Sequence, residues 1–422
     1  MLTVLRQRNF ALLWVGGLVS SMGDWVLFIA LPFYLYTLTN SALATGLMVI
    51  SRTLPGLLLG SVAGVFVDRW DRKRIMIAAD LSRAAVLLLM LLVHSPDQVW
   101  ILYVATFAQA TLSQFFNPAQ SAIVPRLVPP ADLVAANSLN AMNWEVARLI
   151  TPPLGGLLLA AFGLGSAVLV DSASYLFSAL MLTLIALPAL PAPDDAPAHP
   201  APVTASWRHV WAEWIAGLRL VQRDRLIAAL FIVAGFSMIG EGLINVVWII
   251  FIKDSLHGGA LEQGWLATAQ AAGGLLGGAL LGRLGNRVSP VARLAAGGAG
   301  LWLFSLVILI FPNYALTLLL RVGVGVCIIA FYVTLDTLLQ QSVADRYRGR
   351  VFGAFGTTSS IMMLLGQGAA SLLAGPLGAV TILAVMAFAY LLAGLAALVL
   401  LRPARVALPA HPVPLDVTAA LE

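Results

Sequence analysis

Twelve stretches of this 422-residue chain are apolar over the length of a bilayer crossing: 11–36, 43–67, 75–94, 99–123, 137–162, 165–187, 226–252, 262–283, 291–311, 315–340, 351–373 and 377–401. A membrane helix needs about 20 predominantly apolar residues, because each adds about 1.5 Å across a hydrocarbon layer about 30 Å thick. Composition agrees: 60% of the residues are hydrophobic and 10% charged, whereas a soluble domain has about 25% charged residues. An ordinary globular protein is excluded.

Charge placement gives an orientation. Arg52, Arg148 and Arg321 fall within spans and Lys253 lies beyond one. The other 20 of the 24 Lys and Arg fall on or near the side that carries the N-terminus. Short membrane loops rich in Lys and Arg stay in the cytoplasm, so both termini are expected there. The net charge of +5 follows from this asymmetry and does not imply nucleic-acid binding. The start, Met1 to Arg6, runs into an apolar stretch too long for a signal-peptide core, and the first span is expected to be retained. Cys327 is the single cysteine and the five histidines lack metal-ligand spacing. No metal or other cofactor is expected, and the phosphate-binding signature Gly-x-x-x-x-Gly-Lys-Ser/Thr does not occur.

Hydrophobicity collapses between the sixth and seventh spans. Pro188, Pro191, Pro193, Pro197, Pro200 and Pro202 mark a linker over 188–222, in which Trp207 to Leu220 fits an amphipathic surface helix. The expected layout is a six-span bundle over 1–187, a second over 223–405 and a short tail over 406–422. The halves repeat. Gly56, Gly60 and Gly64 recur 218 positions later as Gly274, Gly278 and Gly282. Glycines four apart share a helix face and allow another backbone to approach. The expected fold is therefore all-α and integral to the membrane, with twelve helices in two pseudo-symmetric six-helix bundles.

After Gly64 comes a charged hairpin, Asp68-Arg69-Trp70-Asp71-Arg72-Lys73-Arg74, wedged between two spans. It resembles the loop between the second and third spans of major facilitator superfamily transporters. Asn117-Pro118-Ala119, Val124 to Val128 and Ala135 to Leu139 resemble the fourth-to-fifth-span region of twelve-span bacterial exporters of macrolides, drugs and siderophores. Pro152-Pro153-Leu154-Gly155-Gly156 is similar to an antiporter signature in the fifth span, with Thr151 where a glycine is expected. Arg348 to Gly353 is similar to the start of the eleventh span in the same group. The resemblance implies a monomeric exporter of the bacterial inner membrane, working on small molecules and protons in the lipid bilayer. It also implies that Gly64, Asp68, Arg69, Arg72, Lys73 and Arg74 latch the halves together in one conformation. Asp80 and Arg83 on the third span would extend that network; a plain positive-inside anchor is the alternative for the basic residues. The fourth span departs from the exporters: it carries Gln109, Gln114 and Asn117 where many have an arginine.

Charged residues inside spans are the remaining candidates, since a carboxylate at a helix centre costs about 2.5–3.5 kcal/mol on insertion scales. Asp24 follows Arg8 by 16 residues and Glu241 follows Arg225 by 16. Each falls near the middle of the span that opens its half, where proton-for-cation exchange needs a carboxylate; permanent pairing with Arg52 or Arg321 is the alternative. Asp336 is a third candidate, nearer the basic end. Glu145 and Arg148 lie on the antiporter-like span, close enough to neutralise each other. Asp171 is too near the end of its span to interpret. Trp25, Phe28, Asn245 and Trp248 are expected to line a substrate cavity with Arg52 and Arg321, and Trp14, Tyr34, Gln270, Phe331 and Tyr332 are weaker candidates. The expected function is export of amphipathic small molecules in exchange for protons. A siderophore or lysophospholipid exporter, whose anionic substrate would use Arg52 and Arg321, is the alternative. A membrane enzyme lacks a nucleophile–base pair here, and a transport-like sensor lacks an output domain.

Overall fold

A computed structural model describes residues 4–186, 207–284 and 287–401. The proline-rich part of the linker and the tail lie outside the described residues. The side chains of Asp68 and Arg69, and the surroundings of Gly64, lie outside them too.

Thirteen α-helices fill the described residues, which contain no strand. The first bundle holds α1 (Arg8–Thr39), α2 (Ala42–Arg69), α3 (Arg72–Leu88), α4 (Val99–Ile123), α5 (Leu133–Phe162) and α6 (Leu164–Thr183). An amphipathic helix, α7 (Trp207–Arg223), precedes the second bundle. That bundle holds α8 (Arg225–Asp254), α9 (Ala260–Leu284), α10 (Pro290–Ile310), α11 (Tyr314–Ser342), α12 (Arg348–Leu377) and α13 (Ala379–Leu400). Eleven of the helices are long and apolar enough to cross a membrane. The less apolar α9, with 25 residues, takes in the second bundle the place that α2 takes in the first.

Local chemistry sets the joints. Ser41, Asp71, Asp224, Ser289 and Asn313 each accept a backbone N–H bond at the start of a helix, satisfying donors the helix cannot pair. The α5–α6 and α12–α13 corners turn on Gly163 (φ 75°) and Gly378 (φ 81°), a backbone region that disfavours residues with a Cβ. The corners are equivalent in the two halves.

Packing carries the repeat further. In the first bundle α1 packs on α5 and α6, α2 on α4, and α3 on α4 and α6. In the second, α8 packs on α12 and α13, α9 on α11, and α10 on α11 and α13. Each contact is its counterpart's image when α1–α6 are mapped onto α8–α13. The two largest contacts between the bundles, α2 on α12 and α5 on α9, exchange under the same mapping.

One glycine expectation is corrected. Gly274 meets only the Ile329 side chain, and a Cβ on Gly278 or Gly282 would meet nothing within 4 Å. The backbone approach is made by their neighbours: a Cβ on Gly277 would lie 2.9 Å from Val326 Cα, and Gly273 lies equally tight against Val322 of α11. The stripe singled out by its repeat faces space, and the face one residue earlier does the packing.

Joining of the bundles is one-sided. Call the end carrying the starts of α1, α3, α5, α8, α10 and α12 the basic face. Tyr36 donates to Asp254 at 2.7 Å, Thr268 to the Leu149 carbonyl at 2.9 Å and Gln367 to Thr53 at 3.0 Å. These three inter-bundle hydrogen bonds lie in the half of the molecule away from the basic face. Gly156 sits against the Ala260–Leu261 backbone and Gly264 against Pro152–Pro153, closing the same end.

Candidate functional site

Two cavities meet at the centre. The first, about 410 Å³, lies within the first bundle and is lined by Ser20, Asp24, Arg52, Arg83, Gln109, Gln114, Asn140 and Asn143. The second, about 350 Å³, lies between the bundles and is lined by Trp25, Phe28, Trp144, Arg148, Glu241, Asn245, Trp248, Gln270, Arg321 and Tyr390. Arg52 lines both.

The first cavity is built around Asp24. Its Oδ1 accepts from the Tyr175 hydroxyl at 2.5 Å and from Gln109 Nε2 at 3.3 Å, and Gln109 also donates to the Tyr175 oxygen at 2.8 Å. Arg83 pairs with Asp80 at 2.5 Å, both almost fully buried. Its guanidinium lies between the rings of Phe116 (4.3 Å) and Tyr175 (4.5 Å). Behind Tyr175 on α6, Asp171 is 0% exposed. Arg83 and Arg52 act electrostatically on both Asp24 and Asp171. Buried charges of this kind persist only with partners at hand, and here they come from five of the six helices.

The second bundle repeats the central pair. Glu241 of α8 accepts from the Tyr390 hydroxyl of α13 at 2.9 Å, as Asp24 of α1 accepts from Tyr175 of α6. Tyr390 lies 3.5 Å from the Tyr332 hydroxyl. Arg321, 8% exposed, stacks over Trp248 at 4.3 Å, and Arg52 over Phe28 at 4.4 Å. Trp248 is fixed by donating to Gln263 at 2.9 Å. Trp25 bridges Phe28 (4.8 Å) and Trp144 (5.1 Å). Neither Arg52 nor Arg321 forms an ion pair among the described residues.

Other candidates fall elsewhere. Asp80 and Arg83 belong to the Asp24 network inside the first bundle, far from the hairpin whose latch they were expected to extend. Lys73 donates to the carbonyls of Thr183 (2.9 Å) and Ile185 (2.7 Å) at the C-terminal end of α6, where a cation is favoured. Arg72 has a buried Nε without a partner, and Arg74 lines an apolar groove beside Phe66 and Trp70. None of Arg72, Lys73 and Arg74 forms a side-chain hydrogen bond or ion pair with the second bundle among the described residues. Asp336 is exposed near the basic end of α11 and lines neither cavity. Glu145 and Arg148 form no ion pair; they line a crevice beside Gly274 and Gly278. Pro152, Pro153, Gly155 and Gly156 form the wedge of α5: a Cβ on Gly155 would lie 2.8 Å from the Val26 carbonyl oxygen, so α5 is seated between α1 and α9. Trp14, Tyr34 and Phe331 are packing residues, the first two bonded to backbone carbonyls.

Tyr175 escaped the sequence, and Asp171 was left without a role there. Their signal is a polar stripe, Asp171, Ser174, Tyr175 and Ser178, on one face of an otherwise apolar helix. The fourth span, which carries no arginine, is met by one from its neighbour: Arg83 of α3 lies over Phe116 of α4.

Comparison with known proteins identifies the architecture. Residues 1–413 match the family described as transmembrane secretion effector. The MFS-type transporter YfiS of Bacillus subtilis is 27% identical, with 88% of each chain covered. Macrolide efflux protein A of Streptococcus pyogenes is 26% identical over 88% of this chain and 91% of its own. A bacterial homologue of the iron transporter ferroportin, solved in an inward-facing state, superimposes with a TM-score of 0.71 at 16% identity over 93% of this chain and 98% of that one; at that identity the likeness is one of fold. The chain belongs to the transmembrane secretion effector family of the major facilitator superfamily, and is a multi-pass membrane transporter of small molecules rather than an enzyme.

Proposed function

We propose that the chain is a secondary active exporter of the bacterial inner membrane, moving amphipathic small molecules such as macrolide-like compounds outward in exchange for protons. It works as a monomer by alternating access, the two bundles rocking about the paired cavities. The basic face is cytoplasmic, which the excess of Lys and Arg supports, and both termini lie there. In the conformation described, the bundles are joined at the outer end, so the cavities face the cytoplasm. The observation that carries the proposal is the mirrored pair of membrane-embedded carboxylates, Asp24 with Tyr175 and Glu241 with Tyr390, at the walls of cavities within the usual size of ligand sites. The similarity to a macrolide exporter supports the substrate class.

Gradient-driven efflux from liposomes tests it. Asp24→Asn and Glu241→Gln are expected to lose efflux of the lipophilic cation ethidium under an imposed pH gradient. Efflux unchanged in both variants would remove the carboxylates from the mechanism.

One observation favours the second substrate class, an amphipathic anion such as a siderophore or lysophospholipid: Arg52 and Arg321, with Arg148, line the interface cavity without ion pairs, against the single carboxylate of Glu241. In that case Arg321→Gln abolishes transport and Asp24→Asn remains active.

A further inference from the structure

Three carboxylates, Asp24, Asp80 and Asp171, share the interior of the first bundle with two guanidiniums, Arg52 and Arg83. With every group ionised, the network carries one uncompensated negative charge in a place where such a charge is costly. One proton removes it. Geometry indicates which carboxylate holds the proton. Asp24 Oδ1 receives two hydrogen bonds, from Tyr175 at 2.5 Å and Gln109 at 3.3 Å. Asp80 Oδ1 lies 2.5 Å from Arg83 Nη2, and a charge-assisted bond of this kind stabilises the anion. Asp171 is served worst. Ser174 Oγ reaches its Oδ1 at 3.3 Å but lies closer, at 2.7 Å, to the Asp171 backbone carbonyl. Asp171 Oδ2 has no partner, and Asp80 Oδ2 has none either, but Asp80 keeps its charge-assisted bond to Arg83 while Asp171 has no such bond. An anion with a bare oxygen at 0% exposure is far costlier than the neutral acid.

We propose that the exchanged proton is stored on Asp171, sealed behind Asp24, and that Asp24 is the group through which it passes to and from the cavity. The proposal rests on the proton-coupled function above. The step is a proton transfer alone: Asp171 gives its proton to the Asp24 carboxylate and becomes a carboxylate, and Asp24 then releases it to the cavity. The groups facing Asp171 are Asp24 from α1, Arg52 from α2 and Arg83 from α3, with Asp80 paired to Arg83. From α5, which also packs on α6, no titratable group acts on it among the described residues. Gly23 provides the seal. A Cβ there would lie 2.5 Å from Asp171 Oδ1 and 2.8 Å from Ser174 Cβ, so α1 closes over Asp171 only with glycine at this position. Asp24 lines the cavity and Asp171 does not, which places storage and exchange on separate groups.

Infrared spectroscopy of the full chain in liposomes at neutral pH tests the assignment. A protonated carboxyl in a dry site gives a carbonyl band, and the band of a Glu lies below that of an Asp. The expected result is a band in the wild type that shifts in Asp171→Glu and not in Asp24→Glu. No band, or a shift only in Asp24→Glu, would overturn the proposal. If the extra methylene prevents folding, the isosteric Asp171→Asn decides. It is expected to lower gradient-driven ethidium efflux about tenfold or more, equivalent to about 1.4 kcal/mol, and efflux that still follows the gradient would overturn the assignment. An Asp171-dependent band in a protein that moves no ethidium would uphold the proton site and sink the exporter function. Gradient-driven efflux without such a band would do the reverse.

Discussion

Gly156 and Gly264 offer a way to push the transporter from one conformation to the other. They sit where α5 and α9 cross at the closed end. A Cβ on Gly156 would lie 2.6 Å from Leu261 Cα, and one on Gly264 the same distance from Pro153 Cα. Non-bonded carbons rest at about 3.5–4.0 Å, so each added methyl requires the helices to part by about 1 Å. Overpacking of this kind costs about 1–3 kcal/mol. The cost applies only while the bundles are joined at that end, so Gly156→Ala and Gly264→Ala each shift the balance by roughly 5- to 150-fold toward the state open there. Spin labels at Phe162 and Phe311, which are 74% and 60% exposed at the closed end on opposite bundles, report the change in a Cys327→Ser background. A second pair at Leu184 and Arg350 reports the basic face. The first distance distribution is expected to lengthen and the second to shorten. Unchanged distributions in both alanine variants would refute the argument that glycine contact holds this end shut.

Three further outcomes follow from the interior. Tyr175→Phe removes the 2.5 Å bond to Asp24; bonds to charged groups are worth about 1.5–3 kcal/mol, and the loss is expected to read as a lowered melting temperature in detergent. Asp80→Asn leaves Arg83 buried without its anion and is expected to cost about 3–5 kcal/mol, read as a lowered melting temperature in detergent, with Asp80→Asn/Arg83→Met recovering part of the loss. Gly163→Ala and Gly378→Ala force a Cβ into an extended positive-φ conformation that is essentially confined to glycine at about 1–3 kcal/mol each, and similar losses in the two halves are expected from their equivalent corners.

The spans were legible in the sequence because length and hydropathy are local properties, and the lipid requirement for internal hydrogen bonding leaves helices as their form. Two bundles were legible because the glycines and the embedded carboxylates repeat with the halves, and a proline-rich stretch separates them. What failed was rotation about the helix axis. Gly274, Gly278 and Gly282 carried the visible period, yet Gly273 and Gly277 face α11, because the repeat marks a shared face without saying which neighbour that face meets. Asp80 and Arg83 read as part of the hairpin because they follow it by a few residues. The 1.5 Å rise per residue carries Arg83 about 16 Å into the membrane from Arg72, where it meets Phe116 and Tyr175. Asp171 was discounted for lying near a helix end, although Gly23 of α1 packs against it and the Ala84 carbonyl of α3 accepts a bond from its neighbour Ser172. Asp24 and Glu241 were found for a sound reason, their equal depth in equivalent spans, but their tyrosine partners lie about 150 residues away and depend on the fold.

The most direct test of the coupling mechanism compares ethidium efflux from liposomes holding the wild type or Asp24→Asn, with and without an imposed pH gradient. A proton-exchanging transporter with Asp24 at its cavity wall gives gradient-dependent efflux in the wild type and none above background in the variant. Efflux that follows the gradient equally in both would contradict it.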